Sequence, residues 1–389
     1  MALYLVSDLH LDEDDGSRLF RDDAQGERLV ELCRRATEER AELVLLGDAF
    51  DLTSMMPPAR GLRRFARALR FPTPDRRIRP LPELLAGVAR SNPRAVAALA
   101  THAERARLTV VPGNHDWQLG DRGAPAALAG IGLGRARIEV SPVRLGAGRT
   151  VVAQHGHAFD PGNARPGGEG EVVTRVLHRA LIPYLQARGP RRHVRMSADR
   201  LVALRPEEFA IPVLERWLEP DRFDRVFRAL VRLLADNGAV PRPVAWVRRL
   251  LSPERIRKRL LESDALWQRA GRIALAALAG ERRLPHRAPQ PDVLVLGHTH
   301  VLDWAPMEGG RRRPDRLYVN LGTWTERAFD ASSPPDASLP VVRLDDAGGR
   351  LTVTLADAAA GFRELQRFEV AAATTAGRAR SHRRAPALS

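Results

Sequence analysis

Five short runs of aspartate, asparagine and histidine carry the groups in this chain best suited to hold metal ions. They are Asp8-x-His10, Gly47-Asp48-x-x-Asp51, Gly113-Asn114-His115-Asp116, His155-Gly156-His157 and Gly297-His298-Thr299-His300. Any one alone is weak, because a turn-capping aspartate beside a surface histidine reads the same way. All five, in order, each closely following an apolar run, are beyond chance. Carboxylate, carboxamide and imidazole suit Mn, Fe and Zn, and no thiolate accompanies them. A two-ion site needs a bridging ligand, and a carboxylate at a rigid strand end can bridge. Glycines beside the candidates (Gly47, Gly113, Gly156, Gly297) permit tight turns and close backbone approach.

The elements that must position these groups are strands. Leu3 to Val6 runs into Asp8, a helical pattern spans about Gly26 to Arg40, and Leu43 to Leu46 then runs into Asp48. This is a β-α-β beginning with polar residues at the C-terminal strand ends, the edge at which open α/β sheets bind ligands. Further strands are expected at Leu108–Val111, Thr150–Ala153, Val293–Leu296 and Leu317–Val319, and a hairpin of Val341–Leu344 with Leu351–Leu355 around Gly348-Gly349. Residues 53–82 read as a loop with one basic helix, Ala59 to Arg70, followed by a helix from about Pro82 to Arg105.

Between the fourth and fifth runs the pattern turns helical, with expected helices at Glu171–Arg188, Pro206–Leu218, Arg222–Asn237, Val244–Leu251 and Pro253–Leu278. The chain thus divides into a first core part (1–160), a helical insertion (161–290), a second core part (291–372) and a basic tail (373–389) that reads as disordered. The insertion holds 26 Lys/Arg and 14 Asp/Glu, a net of +12 out of +15 for the chain. That excess fits an anionic partner. It fits equally a compositional bias, because Lys258 is the one lysine among 62 basic residues. With the single cysteine Cys33, no signal-peptide pattern and no long apolar stretch, the expectation is a cytoplasmic protein that touches the inner membrane face peripherally, through the basic insertion.

At these five runs the sequence resembles the calcineurin-like metallophosphoesterase superfamily, over about residues 2–160 and 290–325. The resemblance implies an α/β fold: a four-layer sandwich of two mixed β-sheets flanked by helices, with an inserted α-helical cap. It implies two divalent metal ions, Mn first, with Fe or Zn open. Asp8, His10 and His300 would hold one ion, Asn114, His155 and His298 the other, and Asp48 would bridge them. A hydroxide between the ions would attack phosphorus in line. His115 would protonate the leaving group or stabilise its charge, and Asp116 would orient His115. Asp51 reads either as a group orienting ligands from behind or as a turn former. His157 reads as a donor behind the ligands or as part of the pocket wall.

For the substrate, Gly-Asn-His-Asp sets aside the protein phosphatase branch, which reads Gly-Asn-His-Glu. The runs SDLHL, GHTH and YVNLGTW resemble UDP-2,3-diacylglucosamine hydrolases, which implies a phosphodiester or pyrophosphate bond in a lipid-linked substrate. His115 departs from the arginine of that family, and the insertion is longer. The apolar faces of the insertion (Leu177, Leu181, Leu185; Trp217, Leu218; Phe223, Phe227; Trp246, Leu250) would either hold an acyl chain or pack the cap helices together. The alternative is a nuclease or small-molecule phosphodiesterase. Nucleic acid ranks lower as a partner because aromatics are 5% of residues and do not interleave with the basic ones. A non-catalytic scaffold ranks last, since no expected ligand is missing.

Overall fold

Strand β1, Ala2–Val6, is apolar on both faces because both are covered. Leu3 and Leu5 face one core, Tyr4 and Val6 the other. The same alternation recurs in β2 (Glu42–Leu46) and β3 (Leu108–Val111). This computed structural model describes residues 2–13, 19–146, 149–160, 162–188, 201, 210–239, 284–307, 316–325, 338–347 and 350–370.

Among these residues two mixed sheets form. The remaining strands are β4 (Arg137–Ile138), β5 (Val143–Gly146), β6 (Arg149–Ala153), β7 (Val293–Leu296), β8 (Leu302–Met307), β9 (Arg316–Leu321), β10 (Pro340–Ala347), β11 (Arg350–Asp357) and β12 (Arg363–Val370). One sheet is ordered β12-β11-β10-β1-β2-β3-β4, the other β5-β6-β7-β9-β8. β1, β2, β3 and β4 run parallel, whereas β10 joins β1 antiparallel. In the second sheet β6, β7 and β9 run parallel. Leu5, Val44, Leu46 and Val111 meet Val151, Val293, Val295 and Val319 between the sheets. On the outer face of the larger sheet, α1 (Gln25–Glu38), α3 (Leu81–Ser91) and α4 (Pro93–Arg105) pack on Leu43, Leu45, Leu108 and Val110. The expected α/β arrangement of two mixed sheets flanked by helices is the one present.

Details differ from expectation for local reasons. The single helix expected from Pro82 to Arg105 is two, α3 and α4, broken at Asn92. Pro93 has no N–H and its ring disfavours helical backbone at the residue before it. Asn92 accordingly takes φ −129°, ψ 56°, and its Nδ2 donates to Asp12 O (2.7 Å) and Val88 O (3.0 Å). The basic helix is shorter, α2 (Leu62–Ala68), and the C-terminal hairpin gains a third strand, β12.

The helices described between residues 162 and 239 are α6 (Glu169–Val176), α7 (Ile182–Arg188), α8 (Ala210–Trp217) and α9 (Pro220–Asp236), with a π-turn Leu177–Leu181 joining α6 to α7. Leu177, Leu181, Leu185, Leu218, Phe223 and Phe227 are buried in one core, against which Trp217 packs. Among the described residues these side chains pack the helices together. Leu62 and Phe65 of α2 join that core. The expected helices Val244–Leu251 and Pro253–Leu278, Trp246 and Leu250, and the tail lie outside the described residues. No described helix is long and apolar enough to cross a membrane.

Candidate metal centre

The strand ends place the candidates by backbone hydrogen bonds between loops. Asp8 N–H donates to Gly47 O (3.1 Å), His10 N–H to Asp48 O (2.9 Å), and Asp51 N–H to Leu11 O (2.9 Å). From the other side Thr323 Oγ1 and Trp324 N–H donate to Asp8 O, at 2.9 and 3.1 Å. These bonds hold an unusual backbone. Nine described non-glycine residues have left-handed φ, and five are Asp8 (55°), His10 (49°), Asp48 (49°), His298 (73°) and His300 (58°). Such conformations cost roughly 1–3 kcal/mol each and persist where surroundings over-determine them, as at ligand clamps. Gly47 (φ 84°) is needed for a second reason: a Cβ there would come within 2.2 Å of the His155 Cγ.

Three groups of donor atoms, each within 4.8 Å of one another, form a chain: Asp8/His10/His300, His10/Asp48/His115 and Asp48/His155/His298. All these residues are buried except His298, which is partly exposed. Neighbouring groups share His10 or Asp48. His155 Nε2 lies 3.1 Å from both Asn114 Oδ1 and Asp48 Oδ2, so Asn114 joins the third group. His300 Nε2 lies 3.2 Å from Asp8 Oδ1 and 3.1 Å from His10 Nε2. Donors about 2.0–2.2 Å from one ion lie roughly 3 Å apart; the pairs around His155 and His300 have that spacing, while His10 Nε2 stands 3.8 Å from Asp8 Oδ1 and 4.0 Å from Asp48 Oδ2.

The side chains are also committed on their far sides. His10 Nδ1 sits 3.3 Å from Asp51 Oδ2, and His155 Nδ1 sits 3.0 Å from Leu46 O, which fixes it as the donor. Each ring thereby turns Nε2 toward the other donors, as ligating histidines are turned. Asp8 Oδ2 accepts from Ser7 Oγ (2.5 Å) and His298 N–H (3.0 Å), whereas Asp8 Oδ1 is buried without a hydrogen bond. Asp48 Oδ1 accepts His115 N–H (2.7 Å), leaving Oδ2 toward His155. With His10 Nδ1 held by Asp51, the facing Nε2 atoms of His10 and His300 must share a proton or a cation.

Electrostatics agree. Burial would raise the Asp8 carboxyl, yet His155 and His300 hold it well below the ordinary range; for Asp48, His155 and His115 do the same. Burial would lower His10, but Asp51 and Asp8 push it up to about 10; against burial, Asp48 and Asp8 raise His155 to about 9. The raised histidines and lowered carboxylates favour protonated rings beside charged carboxylates, so divalent ions would compete with protons for these donors. Carboxylates, imidazoles and a carboxamide, with one uncapped buried oxygen, fit a divalent cation.

Asp51 stands behind two rings at once: its Oδ1 is 2.8 Å from His115 Nδ1 and its Oδ2 3.3 Å from His10 Nδ1. Against burial, Asp51 and Asp48 raise the His115 pKa. The orienting partner of His115 is thus Asp51, not Asp116 as expected from the sequence. Asp116 is turned into the loop, accepting Gly113 N–H (2.6 Å) and Phe50 N–H (3.1 Å). Burial and nearby Asp48 lift its carboxyl to about 7. The reason is reach: three residues after Gly113, the Asp116 side chain closes the turn on itself. His157 lies beside His155 (ring centroids 5.4 Å apart) and His298 (6.4 Å), with Nδ1 buried and unpartnered. Burial and these two histidines push its pKa down to about 3.

Sequence reading missed Asp160 and Asn163. Asp160 Oδ2 is 3.1 Å from His298 Nε2 and accepts Asn163 Nδ2 at 2.8 Å. Their spacing behind His157 is the available signal; Asp160 stands beside Pro161, where it reads as a turn residue, and Asn163 falls beyond the insertion boundary at 161.

The chain matches no family model and no curated protein. Similar solved structures include a conserved uncharacterised protein from Streptococcus pneumoniae, a predicted phosphoesterase, at 10% identity over 95% of this chain and 97% of that one, TM-score 0.31. Another is wild-type Vps29 from Entamoeba histolytica complexed with zinc, at 11% identity over 95% and 99%, TM-score 0.31.

Proposed function

We propose that the chain is a metal-dependent phosphoesterase of the calcineurin-like kind. Asp8, His10 and His300 would hold one divalent ion, and Asn114, His155 and His298 a second, with Asp48 between them. The observation that carries this reading is two donor groups, Asp8/His10/His300 and Asp48/His155/His298, bridged by a third in which His115 stands beside His10 and Asp48. When bound, such ions polarise phosphoryl oxygens and make a water nucleophilic near neutral pH.

The chain's own residues supply the rest. Asp51 accepts the Nδ1 proton of His115 and, with Asp48, raises its pKa against burial, which favours the charged form whose Nε2 proton would go to the leaving oxygen. Asp48 holds the loop of His115 through the backbone N–H of that residue, coupling acid and metal pocket. Asp116 closes its own turn through Gly113 N–H and ties that turn to the Asp48 loop through Phe50 N–H.

Two metals, Mn as the first choice, and a phosphodiester or pyrophosphate substrate belong to this proposal. So does a lipid-linked nucleotide, supported by the runs SDLHL, GHTH and YVNLGTW, with the basic cap meeting an anionic membrane face. The test is hydrolysis by Mn²⁺-loaded protein of a generic aryl phosphodiester and, by mass spectrometry, of UDP-2,3-diacylglucosamine. Metal-dependent cleavage of both is expected, with UMP released from the second. Cleavage of the first alone discards the lipid substrate and keeps the chemistry. Cleavage of neither, by protein that binds two ions, sinks the enzymatic reading.

A further inference from the structure

We infer that Asp160, supported by Asn163, is a positioning residue for the second metal pocket: it fixes the tautomer and orientation of His298 and ties that pocket to the root of the helical cap. The inference rests on the metal-site reading above and deepens it.

The geometry is specific. Asp160 Oδ2 accepts from His298 Nε2 (3.1 Å) and Asn163 Nδ2 (2.8 Å), while Oδ1 accepts Gly162 N–H (3.0 Å). With Nε2–H committed to the carboxylate, Nδ1 is the His298 nitrogen that carries a lone pair. Asp160 is not itself among the gathered donors: Asp48, His155 and His298 cluster within 4.8 Å without it. On its other side Asn163 Oδ1 lies 3.5 Å from Asn114 Nδ2, leaving Asn114 Oδ1 facing His155. One short segment thus reaches two proposed ligands that come from different sheets.

The same segment leads into the cap. Gly170 N–H donates to Gly162 O (3.3 Å), and Gly170 lies so close to the Asn163 carboxamide that a Cβ there would overlap it. Gly170 sits in the first turn of α6. Movement of the cap root would therefore be felt at His298 and Asn114.

Carboxylate and carboxamide differ here in one respect that can be tested. Asp160→Asn keeps shape and can still accept Gly162 N–H. Its amide, however, faces His298 with a donor, and the ring answers by placing its proton on Nδ1, where it blocks an ion. Removing such a partner typically weakens metal affinity by about 10–100-fold.

The experiment is Mn²⁺ titration calorimetry on full-length wild type, Asp160→Asn and Asn163→Ala, with melting of the metal-free proteins as the fold control. Two ions are expected on wild type. On Asp160→Asn the tighter-held first ion is expected unchanged and the second about 10–100-fold weaker, still filling at high metal. Asn163→Ala, which leaves the Gly162 bond in place, is expected to show a smaller shift of the same ion. Unchanged affinities in a folded Asp160→Asn protein overturn the inference alone. A second ion that never binds makes Asp160 a ligand and overturns the positioning role. Fewer than two ions on wild type overturn both the inference and the metal-site reading.

Discussion

The strand-end site and the helical cap are held by different means. In the site, strained backbone at Asp8, His10, Asp48, His298 and His300 is fixed by hydrogen bonds between loops, and each committed polar atom leaves another exposed to its neighbours. In the cap, Phe223, Val226, Phe227 and Leu230 fill an apolar core at helical spacing, and arginines such as Arg225 and Arg228 stay outside. The site is a set of directions that tolerates little change. The cap is a volume to be filled, which many side chains can fill.

Asp48 marks the sharpest end of that contrast. Asp48→Asn keeps the His115 N–H bond at Oδ1 but replaces Oδ2, the oxygen facing His155, by a donor. Phosphodiester hydrolysis should fall to background with a cooperative melt retained. Substantial turnover in this variant would remove Asp48 from the bridging position. His115→Gln comes next: a rate loss of about 10²–10⁴-fold, as for other general acids, with the bound metal count unchanged. An emptied site would make His115 a ligand instead.

How much of this was legible in the sequence follows the same division. Strand ends could be read because the apolar runs before the five motifs are buried and stop at candidate ligands, as Leu43 to Leu46 stops at Gly47-Asp48. The sequence leaves Asp51 between two roles, because only folding brings His10 and His115 to its two oxygens. The resemblance assigns Asp116 to orient His115, whereas the carboxylate that reaches Nδ1 is Asp51, from another loop. Asp160 was missed because a lone aspartate beside a proline looks like a turn. The break at Asn92 was available from Pro93 and was outweighed by continuous helical periodicity across it.

Gly47→Ala tests whether the site's directions are set by close approach. The added Cβ meets the His155 ring at φ 84°, so a cost of roughly 2–5 kcal/mol is expected from left-handed backbone and overpacking together. A chemical melt reads it directly. A change below about 1 kcal/mol would mean that the His155 loop moves away at little cost, and that the site is softer than its hydrogen bonds imply.

Proton displacement gives a smaller, graded signal. His10 and His155 have folded-state pKa values raised to about 10 and about 9. In metal-free protein their ion pairs contribute stability that is complete below about pH 6.5, the unfolded value, and is lost as pH rises through the folded values. Asp8, Asp48 and Asp51 are depressed, so their contribution is present above about pH 3.9 and is lost on acidification. Between about pH 6.5 and 8.5 the Tm in EDTA should fall while the gain from added Mn²⁺ widens, because ions compete with fewer protons. A gain that stays constant would show that no proton leaves on binding, which would take His10 and His155 out of the ligand set.

The cap should show the smallest effect, and that is its use as the other half of the comparison. Arg228 is 59% exposed and pairs with Asp224 one turn earlier on α9. Exposed pairs at this spacing contribute about 0.3–0.5 kcal/mol, so Arg228→Gln should barely move the melt or the hydrolysis of a small aryl phosphodiester. Binding to anionic vesicles separates the two origins of the basic excess. If the charge meets a membrane face, Arg228→Gln together with Arg225→Gln should weaken vesicle binding, and salt should weaken it further. If vesicle binding stays at the wild-type level, or is absent from both proteins, the arginines of this helix serve solubility and composition, and specificity must be sought in groups nearer the strand ends.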